Sequence, residues 1–259
     1  FLVSDRNINV FSLTFSLTAS CFGIWILIGP AEASTWGGIG AVIGYAAGQS
    51  FAFLYFIKIG VKVRKMLPSA KSLTEVIARR YDLKVLKLIL FLTILYLYVY
   101  FCAEVTAIAK VVNLILGIPL WLTAALIIIS TLIYSLKGGL KISIITDKFQ
   151  FWIIIVFLII IFFILNQKIN FLSPDVIFNK PLSINIGFGG FTAGLTFFFA
   201  VFATNLFDQG IWQRVYASKN VLVLKKGFIA AFIIVFITIL LLGMVGIFAS
   251  FYGKIKDPS

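Results

Sequence analysis

A chain of 259 residues that is 61% apolar and 12% charged, with a mean hydropathy of +1.10 and a formal net charge of +13, lies far outside the composition of a soluble domain. This excludes a water-soluble enzyme or binding module, and also a disordered chain, which needs low hydrophobicity. The sequence has no histidine, the commonest general base and metal ligand, and its two cysteines, Cys21 and Cys102, form no CxxC motif.

A membrane-spanning helix needs about 20 mostly apolar residues. Seven segments qualify in chain order: 11–28, 38–57, 86–116, 120–134, 149–165, 187–206 and 227–251. The third is long enough to tilt or to project from the bilayer. The fourth is short and runs on toward Ser135. The predicted fold class is therefore all-α and polytopic, with membrane lipid as the surrounding partner.

In a soluble protein a charge of +13 would point to nucleic acid. Here it records orientation, because lysine and arginine stay on the cytoplasmic side. The loop from Lys58 to Lys87 holds nine basic residues, the next loop of that side three (Lys137, Lys141, Lys148), and the third four (Arg214, Lys219, Lys225, Lys226). With Arg6 these make seventeen, against four on the other side (Lys168, Lys180, Lys254, Lys256). The N-terminus is thus expected in the cytoplasm and the C-terminus of this chain outside, in a multi-pass protein of the cell membrane. Within the first basic loop, Ser72 and Glu75 have the spacing of a helix cap and its capping-box partner, so 72–80 reads either as a short interfacial helix or as plain loop.

Interruptions and ionisable groups inside a span are costly and mark candidate sites. The first is Thr18-Ala19-Ser20-Cys21-Phe22-Gly23, followed by Gly29-Pro30. A helix broken there frees carbonyls, which suit a hard cation such as sodium; a proline kink with small packing residues explains the pattern equally well. The second runs from Gly187-Phe188-Gly189-Gly190 to Thr204 and Asn205. Two discontinuous helices in corresponding positions point to the binding site of a secondary transporter. Glu104 lies within the third span and is expected to face the bundle interior, while Lys110 snorkels outward. Asp147 stands near the start of the fifth span, as a cap or as a carboxylate attracting a departing cation. The segment from Asp208 to Lys219 reads as polar, amphipathic and loop-like.

Tyr134-Ser135-Leu136-Lys137-Gly138-Gly139-Leu140 with Thr146, Asp147 and Gln150 resembles the Y-x-x-x-G-G…T-D-x-x-Q element of sodium:solute symporters. Asp208-Gln209 through Gln213-Arg214 and Ala217-Ser218-Lys219 resembles that family's Q-x-x-x-Q-R-x-x-A-x-K element, in wording closer to urea-type and other small-solute branches. Thr74, Glu75 and Arg80-Tyr81 are similar to a third family stretch, so the likeness covers nearly the whole chain.

The resemblance implies a LeuT-type core of two inverted five-helix repeats, the seven spans being core helices 1 to 7, with the first repeat at 11–166 and the start of the second at 187–251. It implies sodium as the co-transported ion, held by the Ala19 and Phe22 backbone carbonyls, with Asp147 on its exit path. Trp25, Thr204 and Asn205 would face a small polar organic solute: an amino acid, a urea-like molecule or a carboxylate. Cys21 stands where proline-transporting members carry aspartate, and Gly44, Tyr45, Gly48 and Ile234 where sugar-transporting members carry polar groups; both solutes are disfavoured. Core helix 8, which completes the family's sodium site, would lie beyond Ser259. A chain opening on Phe1 is accordingly expected to be a slice, a split gene product or a remnant. It would not be competent for transport without its C-terminal part. The second reading is the transporter-like membrane region of a signalling kinase. With no clustered carboxylates in the spans, no catalytic constellation can be assembled.

Overall fold

Asn9 opens the first helix by accepting the Ser12 N–H at 2.9 Å, a side-chain cap. The computed structural model describes residues 6–170 and 188–252. Among these the helices are α1 (Val10–Cys21), α2 (Ile24–Met66), α3 (Leu73–Arg80), α4 (Leu83–Leu116), α5 (Leu120–Asn170), α6 (Phe188–Phe207), α7 (Gln209–Ala217) and α8 (Val221–Tyr252). One isolated bridge joins Ile8 to Ser218.

Two of these helices are pairs joined at a glycine. Gly38 (φ 61°, ψ −156°) interrupts α2, and Gly139 (φ 52°, ψ −149°) interrupts α5. Both conformations are closed to residues with a Cβ, so glycine sets the joints. They separate the first expected span from the second and the fourth from the fifth. The stretch expected as a loop around 135–148 is instead helical on both sides of Gly139.

Five helices among the described residues are long and apolar enough to cross a membrane: Ile24–Met66, Leu83–Leu116, Gly139–Ile164, Phe188–Phe207 and Val221–Ala249. Val10–Cys21 and Leu120–Ile133 are apolar but shorter. The expected seven differ from this five because the first expected span is divided between the short Val10–Cys21 and the run Ile24–Met66, which also takes in the second, and because the fourth, Leu120–Ile133, is short. The basic residues Lys180, Lys254 and Lys256, and Gly187 at the start of the sixth expected span, lie outside the described residues.

The short helix at 72–80 is formed. Ser72 accepts the Glu75 N–H at 3.2 Å, and Glu75 returns its Oε2 to the Lys71 N–H at 2.8 Å, one residue earlier than a standard capping box. Arg79 pairs with the same glutamate.

The core forms where α2 packs along α6 and α8, with α1 against α8 and α5. Leu13, Leu17, Phe53, Phe56, Phe228 and Ile239 are fully enclosed there. Small residues let α2 and α6 touch backbone to backbone: a Cβ on Gly40 would lie 2.3 Å from the Gly190 oxygen, and one on Gly44 2.0 Å from the Gly194 oxygen. Without a hydrophobic force between helices in lipid, such close packing holds them together. By contrast α4 and the later part of α5 expose large apolar side chains such as Phe91, Ile94, Phe157 and Phe162, as helices apolar on all sides do when hydrocarbon is the solvent.

At one end of the bundle the N-terminal segment is tied down. The Ile8 N–H donates to the Ala217 carbonyl at 3.2 Å and the Lys219 N–H to the Ile8 carbonyl at 3.1 Å. Arg6 reaches the Ala70 and Pro68 carbonyls, and Arg64 the Val215 carbonyl.

Candidate functional site

The first membrane helix breaks at Phe22–Gly23. The Phe22 N–H turns back to the Ala19 carbonyl at 3.0 Å, ending α1, and Gly23 is extended (φ −73°, ψ 177°) before α2 begins. Gly29 and Pro30, expected to take part in the break, lie inside α2, where the proline removes one backbone donor without ending the helix. The start of α2 is held from outside. Glu104 on α4 accepts the Ile24 N–H through Oε2 at 3.0 Å. Its other oxygen, Oε1, is shielded and has no hydrogen-bond partner among the described residues. A Cβ on Gly23 would stand 2.3 Å from that oxygen, so only glycine lets the carboxylate in. Ala19, Phe22, Glu104 and Gln150 line one cavity here, of about 450 Å³.

The second break is at Asp208. The helix from Phe188 to Phe207 is continuous, so the glycine-rich start expected to interrupt it does not, and Gly190 serves instead for contact with α2. Asp208 is non-helical and caps α7, its Oδ1 accepting the Gly210 N–H at 2.6 Å and the Ile211 N–H at 3.2 Å. The segment read as loop-like is therefore a helix, with Ile211, Trp212, Val215 and Tyr216 buried on it. Its charged and polar residues had masked this apolar face.

Between the two breaks lies a cavity of about 280 Å³ lined by Cys21 from the first and Asp208 from the second. Trp25, Thr204 and Asn205, the three expected solute-facing residues, all line it. Trp25 is half exposed. Thr204 returns its hydroxyl to the Val201 carbonyl at 2.8 Å. Asn205 is buried, and its amide exchanges two hydrogen bonds of 3.1 Å with Gln49 of α2. The Gln49 amide also donates to the Cys21 sulfur at 3.3 Å. Sequence reasoning missed Gln49, although a lone amide inside a glycine-rich span was a visible signal.

Asp147, expected as a helix cap or as a carboxylate that attracts a departing cation, caps no helix: it sits eight residues beyond Gly139 inside α5, buried, and bonded to Arg214 Nη2 at 2.8 Å. Arg214 Nε donates to Ser16 at 2.7 Å, and the Ser16 hydroxyl donates to the same Asp147 oxygen. Three helices, α1, α5 and α7, meet in this closed triangle. The two sequence motifs thus form one contact. Gly139 sets the bend, Asp147 reaches Arg214, and Gln150, three residues on and one helical turn away, lines the cavity at the first break. Gly138 lies beside the bend. Thr146 bonds back to the Ser143 carbonyl at 2.8 Å. Gln213 is half-buried on α7, and both amide atoms of Gln209 are shielded without a hydrogen-bond partner among the described residues. No group of three or more cysteine, aspartate or glutamate residues suited to a metal ion occurs among the described residues.

The profile of the sodium:solute symporter family matches residues 1–255. A spermidine transporter of Candida albicans is 24% identical over 98% of this chain and 49% of its own length, so the chain spans about half of that relative. No solved structure matches. With broken membrane helices on either side of one cavity and a family match over nearly every residue, this multi-pass membrane chain belongs to the sodium:solute symporter family.

Proposed function

We propose that this chain forms the front part of a secondary transporter that couples inward sodium flux to uptake of a small polar organic solute. The observation that carries this reading is the pair of helix breaks, at Phe22–Gly23 and at Asp208, flanking one cavity lined from both. Irregular backbone at membrane depth is tolerated where it lines a cavity or binds a ligand. The homologue is itself named as a transporter, which favours transport over a sensing role.

In this reading α1 and the start of α2 form the first of seven crossings in a LeuT-type core, and α6 with α7 the sixth. Sodium is cargo, taken by the carbonyls of Ala19 and Phe22 beside the first break, with Asp147 on its way out once Arg214 releases it. Trp25, Thr204 and Asn205 contact the solute. The N-terminus and the basic loops face the cytoplasm, in a cell membrane. Sodium entry down its gradient shifts the population between outward- and inward-open states through its differential affinity for them.

The test is uptake in cells expressing the complete coding sequence that contains this chain, with labelled spermidine, urea and proline as probes. Uptake of at least one should collapse when potassium replaces sodium outside. Uptake that is indifferent to this exchange overturns the reading.

A further inference from the structure

We propose that the cavity between the two helix breaks takes an organic cation and refuses anionic solutes, because the chain's own carboxylates occupy the helix N-termini that an anion would need. This rests on the transporter reading above and narrows it, setting aside carboxylates as solutes.

The N-terminus of a helix broken inside a membrane is a ready anion site: its first N–H groups have no partner and its dipole is positive. A transporter of anionic or zwitterionic solutes leaves that end open for the solute carboxylate. Here both such ends are filled. Glu104 reaches across from α4 to the Ile24 N–H at the start of α2. Gly23 makes room for it, since a Cβ would lie within 2.7 Å of all three carboxyl atoms. Asp208 takes the Gly210 and Ile211 N–H groups at the start of α7.

The charge of the interior points the same way. Among the described residues Arg214 forms its ion pair with Asp147 and gives its Nε to Ser16, and neither Glu104 nor Asp208 lies within ion-pair distance of a lysine or arginine. Among the described residues Asp208 is the only charged one lining the cavity between the breaks, and Glu104 the only charged one lining the cavity beside Phe22. An anion entering this region would be desolvated next to the Asp208 and Glu104 carboxylates; a cation would be drawn in.

The wall itself suits an ammonium group. Trp25, Tyr45, Tyr96, Tyr100 and Phe197 supply five aromatic rings to the wall of the cavity that Asp208 also lines. The ring faces carry partial negative charge and attract a desolvated cation within about 6 Å. Tyr100 lines both cavities, so the aromatic surface runs from Asp208 to Glu104.

The experiment is ligand-induced thermal stabilisation of the purified full-length protein in detergent, at constant ionic strength with sodium present. Spermidine and choline serve as cations, urea as a neutral probe and lactate as an anion. The cations should raise the melting temperature in a saturable manner and lactate should not. Asp208→Asn should weaken the apparent affinity for the cations at least tenfold. Glu104→Ala should open the α2 N-terminus, so that lactate, without effect on the parent, now raises the melting temperature in a saturable manner. Stabilisation of the parent by lactate, no shift with either cation, or a cation affinity indifferent to Asp208→Asn each overturns the proposal. If Glu104→Ala does not fold, the parent's selectivity and Asp208→Asn still decide. Flux in proteoliposomes separates this proposal from the transporter reading. Cation-selective stabilisation without sodium-dependent uptake of any probe sinks the transporter reading alone; sodium-dependent uptake of lactate sinks the cation proposal alone.

Discussion

Arg214 on α7 holds Asp147 on α5 at 2.8 Å, 67 residues apart in sequence, and Ser16 of α1 joins both. The contact lies on the same side of the bundle as the bridge between Ile8 and Ser218, the end proposed to face the cytoplasm. In the proposed transport cycle, opening this end would part the triangle.

Removing one member of a buried pair leaves the other charge uncompensated, at a cost of about 3–5 kcal/mol, whereas replacing both with apolar residues is often nearly neutral. Asp147→Asn and Arg214→Met should each lower the melting temperature in detergent clearly. Asp147→Leu combined with Arg214→Met should recover most of the loss. Additive losses in the double variant would show that the two residues are not coupled.

The Asn205–Gln49 amide pair makes a second, subtler prediction. Each amide satisfies the other in a buried site, so Asn205→Ala strands Gln49 at a cost of about 1–3 kcal/mol. Asn205→Leu with Gln49→Leu should be milder than either single change. Because Asn205 also lines the cavity, its loss should raise the KM for solute more than it lowers kcat. An unchanged KM would assign the pair to helix packing alone.

That spans end and restart near Gly38 and Gly139 was legible, because apolar runs are a local signal, but that a single glycine makes each joint was not. Asn205 was legible for a similar reason, as an amide inside a span. What sequence reading placed wrongly depends on distant partners. The first break falls at Phe22–Gly23, inside the stretch the sequence singles out, but Pro30 takes no part in it; the freed Ile24 N–H is met by a carboxylate 80 residues away. Helix α7 was taken for a loop because its polar residues dominate its composition. Its stability comes from a local cap at Asp208 and from burial of Trp212 and Tyr216, and only the cap is written locally. Asp147 was recognised as special, but its partner Arg214 sits in the other motif, and nothing in either motif says that the two touch.

The α2–α6 seam gives a third prediction. A methyl group on Gly44 would overlap the Gly194 carbonyl, which is backbone and cannot rotate aside. Overpacking in a close-packed interior costs about 1–3 kcal/mol and displaces backbone. Gly44→Ala should therefore lower the melting temperature and, by moving α6, reduce solute uptake. Ala47→Gly, one turn from the seam and half-buried, should change uptake little. Equal effects from both would deny the seam any special role.

Orientation supplies the last prediction. The orientation proposed from seventeen basic residues on one side against four on the other has the α3 region in the cytoplasm and the end of α4 outside. Helix α4, at 34 residues, is about 51 Å long, more than enough to cross the roughly 30 Å hydrocarbon core even when tilted. Its two ends must then lie on opposite sides. Lys71, before α3, and Leu114, near the end of α4, are both exposed. In a Cys102→Ser background, with the buried Cys21 retained, Lys71→Cys should react with an impermeant thiol reagent only after the cells are opened. Leu114→Cys should react in intact cells. The reverse pattern would invert the topology and with it the direction of transport, and labelling of both in intact cells would mean that α4 does not cross the membrane at all.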